Sequence, residues 1–255
     1  MRSKVYFLMA LLLLIFSANS SSAQVKSYKK TNFGVSFHLQ KGMMNLYLLK
    51  NDLVEVKYTT LETMPEKKSL VVLPVDSYLK NFSVAETNGN VMITTDKLKI
   101  KVDRQTQAIT YSDLKNHIIL AESANENKQM RDTTIVGIKT FSVGTTFQSP
   151  KDEALYGLGC HPEDSLSINY KGRNQDMAIK YLTGAIPVLL STKGYGLLWD
   201  NYAESKFYGA EKNNSEYTYV SESSKMVDYY FFYGPSFDHI MDLYRNLTGV
   251  APMYP

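Results

Sequence analysis

From Val35 onward the apolar residues fall on every second position: Val35/Phe37/Leu39, Met44/Leu46/Leu48, Val54/Val56/Tyr58, Val91/Ile93, Leu98/Ile100/Val102 and Phe141/Val143. A period of two is the signature of strands with one buried face. Turn signals separate the runs, among them Lys41-Gly42, Asn51-Asp52, Asn88-Gly89-Asn90 and Asp103-Arg104-Gln105. Their spacing of about eight to twelve residues predicts an antiparallel sandwich. Two stretches break the rhythm. Residues 123–134 are polar and read as a surface loop, and residues 161–173 carry Pro, Gly, Asn and Ser without a period.

The second half is the more aromatic. Ile186-Pro187-Val188-Leu189-Leu190, Tyr195-Gly196-Leu197-Leu198-Trp199, Tyr217-Thr218-Tyr219-Val220 and the run from Met226 to Tyr233 are almost continuously apolar, the pattern of central strands buried on both faces. One helix is predicted. Ser236 is its N-cap, Phe237, Ile240, Met241, Tyr244 and Leu247 form its apolar stripe, and Gly249 ends it. The final residues, Ala251-Pro252-Met253-Tyr254-Pro255, read as a connector.

The start of the chain has a different character. Arg2 and Lys4 precede a twelve-residue apolar stretch, Val5 to Phe16, and a run of small residues ends at Ser21-Ser22-Ala23. This is the pattern of an export signal cleaved after Ala23, which predicts a periplasmic or secreted bacterial protein that begins at Gln24 and has no membrane anchor after cleavage. The stretch is shorter than the ~20 residues a spanning helix needs. Removing Arg2 and Lys4 takes the formal charge from +3 to +1, which gives no basis for nucleic-acid binding. One Cys excludes a disulfide framework or a cysteine zinc cluster, and His38, His117, His161 and His239 are widely spread, so no metal or cofactor is expected.

Candidate chemistry is sparse. Gly157-Leu158-Gly159 lacks the third glycine and the Lys-Ser/Thr pair of a phosphate loop, and no G-x-S-x-G elbow occurs. Cys160 and His161 are neighbours, but neighbours on an extended chain point to opposite faces, so Cys160 reads as a small, partly buried residue. The pairs Asp152/Glu153 and Glu163/Asp164 read as solvated loop charges, because glycosidic carboxylates face each other from different elements.

Tyr156-Gly157-Leu158-Gly159, Asn169-Tyr170-Lys171-Gly172 and the segment from Ile186-Pro187 through Ser191-Thr192-Lys193-Gly194-Tyr195-Gly196-Leu197-Leu198-Trp199-Asp200-Asn201-Tyr202 occur in order. Together with Tyr229 to Pro235 and Leu247-Thr248-Gly249, they resemble the N-terminal domain of glycoside hydrolase family 31, the retaining α-glycosidases that include α-glucosidases and α-xylosidases. The motifs cover residues 150–255; residues 24–150 fit by pattern. The resemblance implies an all-β fold, a galactose-mutarotase-like antiparallel β-supersandwich with one C-terminal helix. It divides the chain into a signal (1–23), the sandwich (24–249) and a connector (250–255) to a catalytic (β/α)8 barrel. In the family the catalytic aspartates lie on barrel loops, so the resemblance places no catalytic residue here and implies that these residues alone are inactive.

The implied partners are that barrel and a carbohydrate carrying α-linked xylose or glucose. The subtype hint, from Asn169-Tyr170-Lys171-Gly172 with Trp199-Asp200-Asn201-Tyr202, is an α-xylosidase acting on xyloglucan side chains. The loop from Cys160 to Tyr181 is the expected active-site rim. Members usually have Glu or Gln where Cys160 stands, followed here by His161. One register makes Asp176 of Asn174-Gln175-Asp176 a sugar contact, and another favours Tyr181, so candidate substrate-binding residues are Asp176, Tyr181, Cys160 and His161. The alternative reading is a stand-alone carbohydrate-binding sandwich that uses exposed Tyr and Trp199 as stacking platforms.

Overall fold

The computed structural model describes residues 24–161, 168–179, 183–211 and 213–250. Strands β1 (Val25–Lys30), β2 (Gly34–Leu39), β3 (Met43–Lys50) and β4 (Leu53–Thr59) form a meander, and β5 (Ser83–Thr87), β6 (Asn90–Thr94), β7 (Lys99–Asp103), β8 (Ile109–Ser112) and β9 (Ile118–Ala121) form a separate five-stranded sheet. The chain continues through β10 (Lys128–Ile135), β11 (Ile138–Gln148), β12 (Leu155–Cys160), β13 (Asn174–Met177), β14 (Gly184–Ser191), β15 (Tyr195–Trp199), β16 (Ser205–Glu211), β17 (Glu216–Ser224) and β18 (Val227–Tyr233). Strands β18, β15, β14 and β12 extend the first meander into an eight-stranded sheet, and β10-β11-β17-β16-β13 make a second five-stranded one. Helix α1 (Phe237–Thr248) follows β18.

Alternation along β4 and β18 shows why the sheets stack. Val54, Val56, Tyr58, Val227, Tyr229 and Phe231 enter the main core, where Tyr111 of β8 stacks on Phe231 with ring centroids 3.8 Å apart. Leu53, Tyr230 and Phe232 point the other way, into a smaller cluster with Val188, Leu198 and the helix. Central strands such as β15 are therefore apolar on both faces, as their continuous runs predict.

Helix α1 keeps its predicted ends. The Ser236 side chain accepts a hydrogen bond from the His239 backbone N–H, and the Gly249 N–H donates to the Arg245 carbonyl at 2.8 Å. Its buried stripe is Ile240, Leu243 and Leu247, whereas Phe237 and Met241 remain partly exposed. Leu243 lies three residues from Ile240 and four from Leu247, so the buried face is rotated slightly from the predicted one.

Three further expectations are corrected. Residues 123–134 are not all loop, because β10 pairs along its whole length with β11, from Lys128 opposite Thr145 to Ile135 opposite Ile138. Its polar sequence is compatible with a strand because Lys128 is buried in an ion pair and its other polar residues lie at the sheet edge. The expected rim loop from Cys160 to Tyr181 is not all loop, because it contains β13, whose four residues are too few to show a period. Glu153 is not solvated: its carboxylate accepts from Tyr195 Oη at 2.7 Å, Ser191 Oγ at 2.5 Å and Ser149 Oγ at 2.6 Å. Asp152 is exposed, paired with Lys193 at 2.5 Å, as expected, and Glu163 and Asp164 lie outside the described residues.

A second buried carboxylate, Glu122, accepts from Tyr229 Oη at 2.8 Å and from the Ile109 N–H at 2.8 Å, and it pairs with the Lys128 ammonium. Each network joins different sheets: Glu153 leads through Tyr195 to Tyr217, and Glu122 through Tyr229 to Tyr111. Burial, with the adjacent carboxylates, holds all four phenols well above their ordinary pKa.

Candidate carbohydrate rim

The expected rim begins at a distortion in β12. Gly157, Leu158 and Gly159 all have positive φ, at 107°, 64° and 104°, and the register against β14 shifts between the two glycines. A Cβ on Gly157 would sit 2.3 Å from the Val188 carbonyl oxygen, and one on Gly159 only 1.9 Å from that of Gly184. Glycine is required at both positions by this approach as well as by the backbone angle. Pro187, which has no N–H to donate, falls in the interrupted part of the β14 ladder between Ala185 and Leu189. The bulge drives Leu158 fully into the core.

Just past the bulge Cys160 is exposed, contrary to the partly buried position expected for it. The reason is its place at the end of an edge strand. His161 folds back: its Nε2–H donates to the Leu158 carbonyl at 2.8 Å, and Nδ1 accepts from the Gln175 amide at 3.1 Å. The same Gln175 amide donates to the Asp176 carbonyl at 2.9 Å, which fixes its orientation and leaves His161 Nδ1 as the acceptor. The imidazole also meets the edge of Tyr170, with centroids 6.5 Å apart.

Strand β13 carries Asp176 on the face opposite Gln175 and the buried Met177. There it lies opposite Lys206 of β16, Oδ1 to Nζ 3.6 Å, with 51% of its side chain exposed. The structure thus joins Cys160, His161 and Gln175 into one corner and sets Asp176 on the other side of the same short strand. Tyr181 lies outside the described residues. Gln175 was overlooked in favour of Asp176, although alternation places it on the inner face of β13.

The Asn169-Tyr170-Lys171-Gly172 string holds the base of this region. Asn169 Oδ1 accepts from the Leu155 N–H at 2.9 Å and the Lys171 N–H at 3.0 Å. Lys171 Nζ donates to the Ser149 and Pro150 carbonyls at 3.1 and 2.8 Å and to Ser149 Oγ at 2.6 Å. Burial lowers the Lys171 pKa, and the nearby Glu153 and Asp152 oppose that shift. Tyr170 is buried against Phe207, with the Arg173 guanidinium 5.4 Å above its ring.

Comparison with known proteins decides the family. A family profile described as the glycosyl hydrolase 31 N-terminal galactose mutarotase-like domain matches residues 43–207. The chain belongs to this family. The match within this glycosyl hydrolase 31 domain starts in β3, far upstream of the strings that carry the resemblance, and includes the bulge, the corner and β13.

The domain is 28% identical over 222 residues to an α-xylosidase of Saccharolobus solfataricus, covering 83% of this chain and 29% of that protein. It is 27% identical over 203 residues to an isomaltosyltransferase of Sporosarcina globispora, covering 71% and 18%. Similar solved structures include a family 31 dextranase of Flavobacterium johnsoniae in complex with isomaltotriose, at 21% identity and a TM-score of 0.78 over 91% of this chain and 29% of that one. The α-xylosidase of Xanthomonas citri gives 18% identity and a TM-score of 0.77 over 84% and 39%. The chain therefore spans less than a third of the two curated relatives, and the two structures establish its fold.

Proposed function

We propose that this domain supplies part of the substrate rim, and a packing surface, of an exported retaining α-glycosidase of the α-xylosidase or α-glucosidase type that acts in carbohydrate degradation. The observation that carries the reading is the double-glycine bulge, which brings Cys160 and the His161–Gln175 pair out beside β13. Relatives named for α-xylosidase and transglycosylation activity support it. Asp176, half-exposed on an edge strand, contributes a sugar hydroxyl contact, with Tyr181, five residues further along the chain, as the other candidate contact. Both ring nitrogens of His161 are engaged within the protein, so its part is to brace the rim under Cys160.

In the glycosidase that carries this domain, Asp176→Ala and Tyr181→Ala each lower kcat/KM toward an aryl α-xyloside or α-glucoside, by about 1–3 kcal/mol in transition-state stabilisation, with an unchanged melting temperature. Unaltered kinetics in both variants, or a loss explained by unfolding, would refute the rim assignment. The 255-residue chain by itself turns over neither substrate, and sequencing of the exported protein starts at Gln24. The stand-alone carbohydrate-binding reading loses Trp199 as a stacking platform, because this residue is only 1% exposed and lies stacked on Tyr219, with its indole N–H bonded to Ser221 Oγ at 2.8 Å, whereas Tyr202 is 47% exposed.

A further inference from the structure

Between β4 and β5, residues 60–82 cross the outer face of the eight-stranded sheet as a strap with neither strand nor helix. Lys67 turns inward from it, with 17% of its side chain exposed. The ammonium reaches the Asp200 carbonyl, lies 3.3 Å from Asp200 Oδ2 and 3.1 Å from Asp228 Oδ2, and sits 4.9 Å over the Tyr202 ring. Tyr202 Oη accepts from the Leu70 N–H at 2.5 Å and donates to Ser69 Oγ at 3.2 Å. Farther along, the Leu73 N–H donates to the Leu247 carbonyl of α1 at 2.9 Å and the Leu79 N–H to the Leu48 carbonyl at 2.8 Å. On its outer side the strap presents Leu70, Val71, Leu73 and Val75, with Leu70 78% exposed.

The charges beneath the strap do not balance. Glu55 and Lys57 come from β4, Asp228 from β18, Asp200 from the end of β15 and Lys67 from the strap, while Tyr230 donates to Glu55 at 2.5 Å and Lys57 pairs with Glu55 at 2.8 Å. Three buried carboxylates thus face two ammonium groups. Asp228 Oδ1 has no hydrogen-bond partner, and Asp200 Oδ2 meets the Lys67 ammonium only at the 3.3 Å of an ion pair. A surplus negative charge that water cannot reach is costly, and it is relieved either by binding a proton or by admitting water.

We propose that the strap is a pH-dependent latch, held down while the carboxylate pair under Lys67 retains a proton and loosened when that proton is lost. Burial pushes Asp228 up to about 7; Glu55 and Asp200 add to the shift, and Lys67 and Lys57 oppose it. Lifting the strap hydrates the carboxylate and returns its pKa toward the ordinary value, so the closed form binds a proton that the open form releases. By linkage the proton's contribution to the closed form is complete below the ordinary carboxylate pKa near 4, shrinks as pH rises from there, and is gone once pH exceeds about 7. The apolar row from Leu70 to Val75 moves with it.

The test is hydrogen exchange of the Leu70 and Leu73 amides in the intact protein between pH 4.5 and 9, corrected for intrinsic exchange, with β18 amides as the reference. The expected opening constant rises by up to about tenfold per pH unit between the ordinary carboxylate range near pH 4 and about pH 7, and levels off above 7 once both forms have lost the proton, while β18 amides keep their protection. Asp228→Asn, which keeps the shape and removes the titration, abolishes the rise. Opening that does not depend on pH, that decreases with pH, that persists unchanged in Asp228→Asn, or that is shared by β18 would overturn the proposal.

Discussion

Replacing Glu122 tests whether the sandwich is held together by its buried ion pair. Glu122 and Lys128 are both fully buried, and the carboxylate also takes the Ile109 N–H and the Tyr229 hydroxyl. In Glu122→Leu the Lys128 ammonium retains only the Gln107 carbonyl, at 3.1 Å. An uncompensated buried charge costs about 3–5 kcal/mol, and at about 2–4 °C per kcal/mol the melting temperature falls by roughly 6–20 °C. Lys128→Met leaves a carboxylate that still has two donors, so its cost lies toward the lower end of that range. The double variant has no buried charge and leaves chiefly the Ile109 N–H unpaired, a penalty of about 1–3 kcal/mol. The three losses are read from urea unfolding followed by fluorescence and circular dichroism at constant slope. The cycle should give a coupling of at least about 2 kcal/mol. Additive losses, or single variants costing less than about 1 kcal/mol, would refute the claim that the pair acts as a unit.

Three other outcomes follow from the geometry. Gly159→Ala places a Cβ 1.9 Å from the Gly184 carbonyl at a φ of 104°, so it should destabilise the domain by more than the ~1–3 kcal/mol of backbone strain alone, as measured by thermal unfolding. Ser236→Ala removes the acceptor for the His239 N–H and should cost about 1 kcal/mol in the same assay. Because Tyr195, Tyr217, Tyr111 and Tyr229 have folded pKa values above the unfolded value of 10, their stabilisation is intact below pH 10 and declines above it. Tyrosinate absorbance from these rings should therefore appear together with loss of near-ultraviolet circular dichroism in an alkaline titration, and its appearance in a still-folded protein would count against the burial argument.

The sandwich was legible because alternation is imposed by burial: Val54, Val56 and Tyr58 must face one way for the sheet to have an inside. The helix was legible from its caps, while its exact face was not, since Leu243 and Met241 are equally apolar and only the packing against Phe232 and Val188 chooses between them. Lys128 and Glu153 were misread for a common reason. A charged residue signals solvent unless its partner is known, and these partners, Glu122 and the Tyr195 hydroxyl, come from elsewhere in the chain. The strap was passed over because alternation before and after it masks the gap.

The strings that carry the family resemblance perform mechanical work in this structure. Gly157 and Gly159 permit the bulge, Asn169 and Lys171 clamp the turn beside it, and Trp199 fills the core against Tyr219. Each is demanded by close approach, a buried donor or a large cavity, so substituting any of them carries a definite stability penalty. Cys160 and Asp176 stand exposed, where folding makes weaker demands and the choice of residue can follow the ligand. A fold built this way announces its family through its clamps, and the proposed rim role is to be tested on the few side chains that the clamps hold out to solvent.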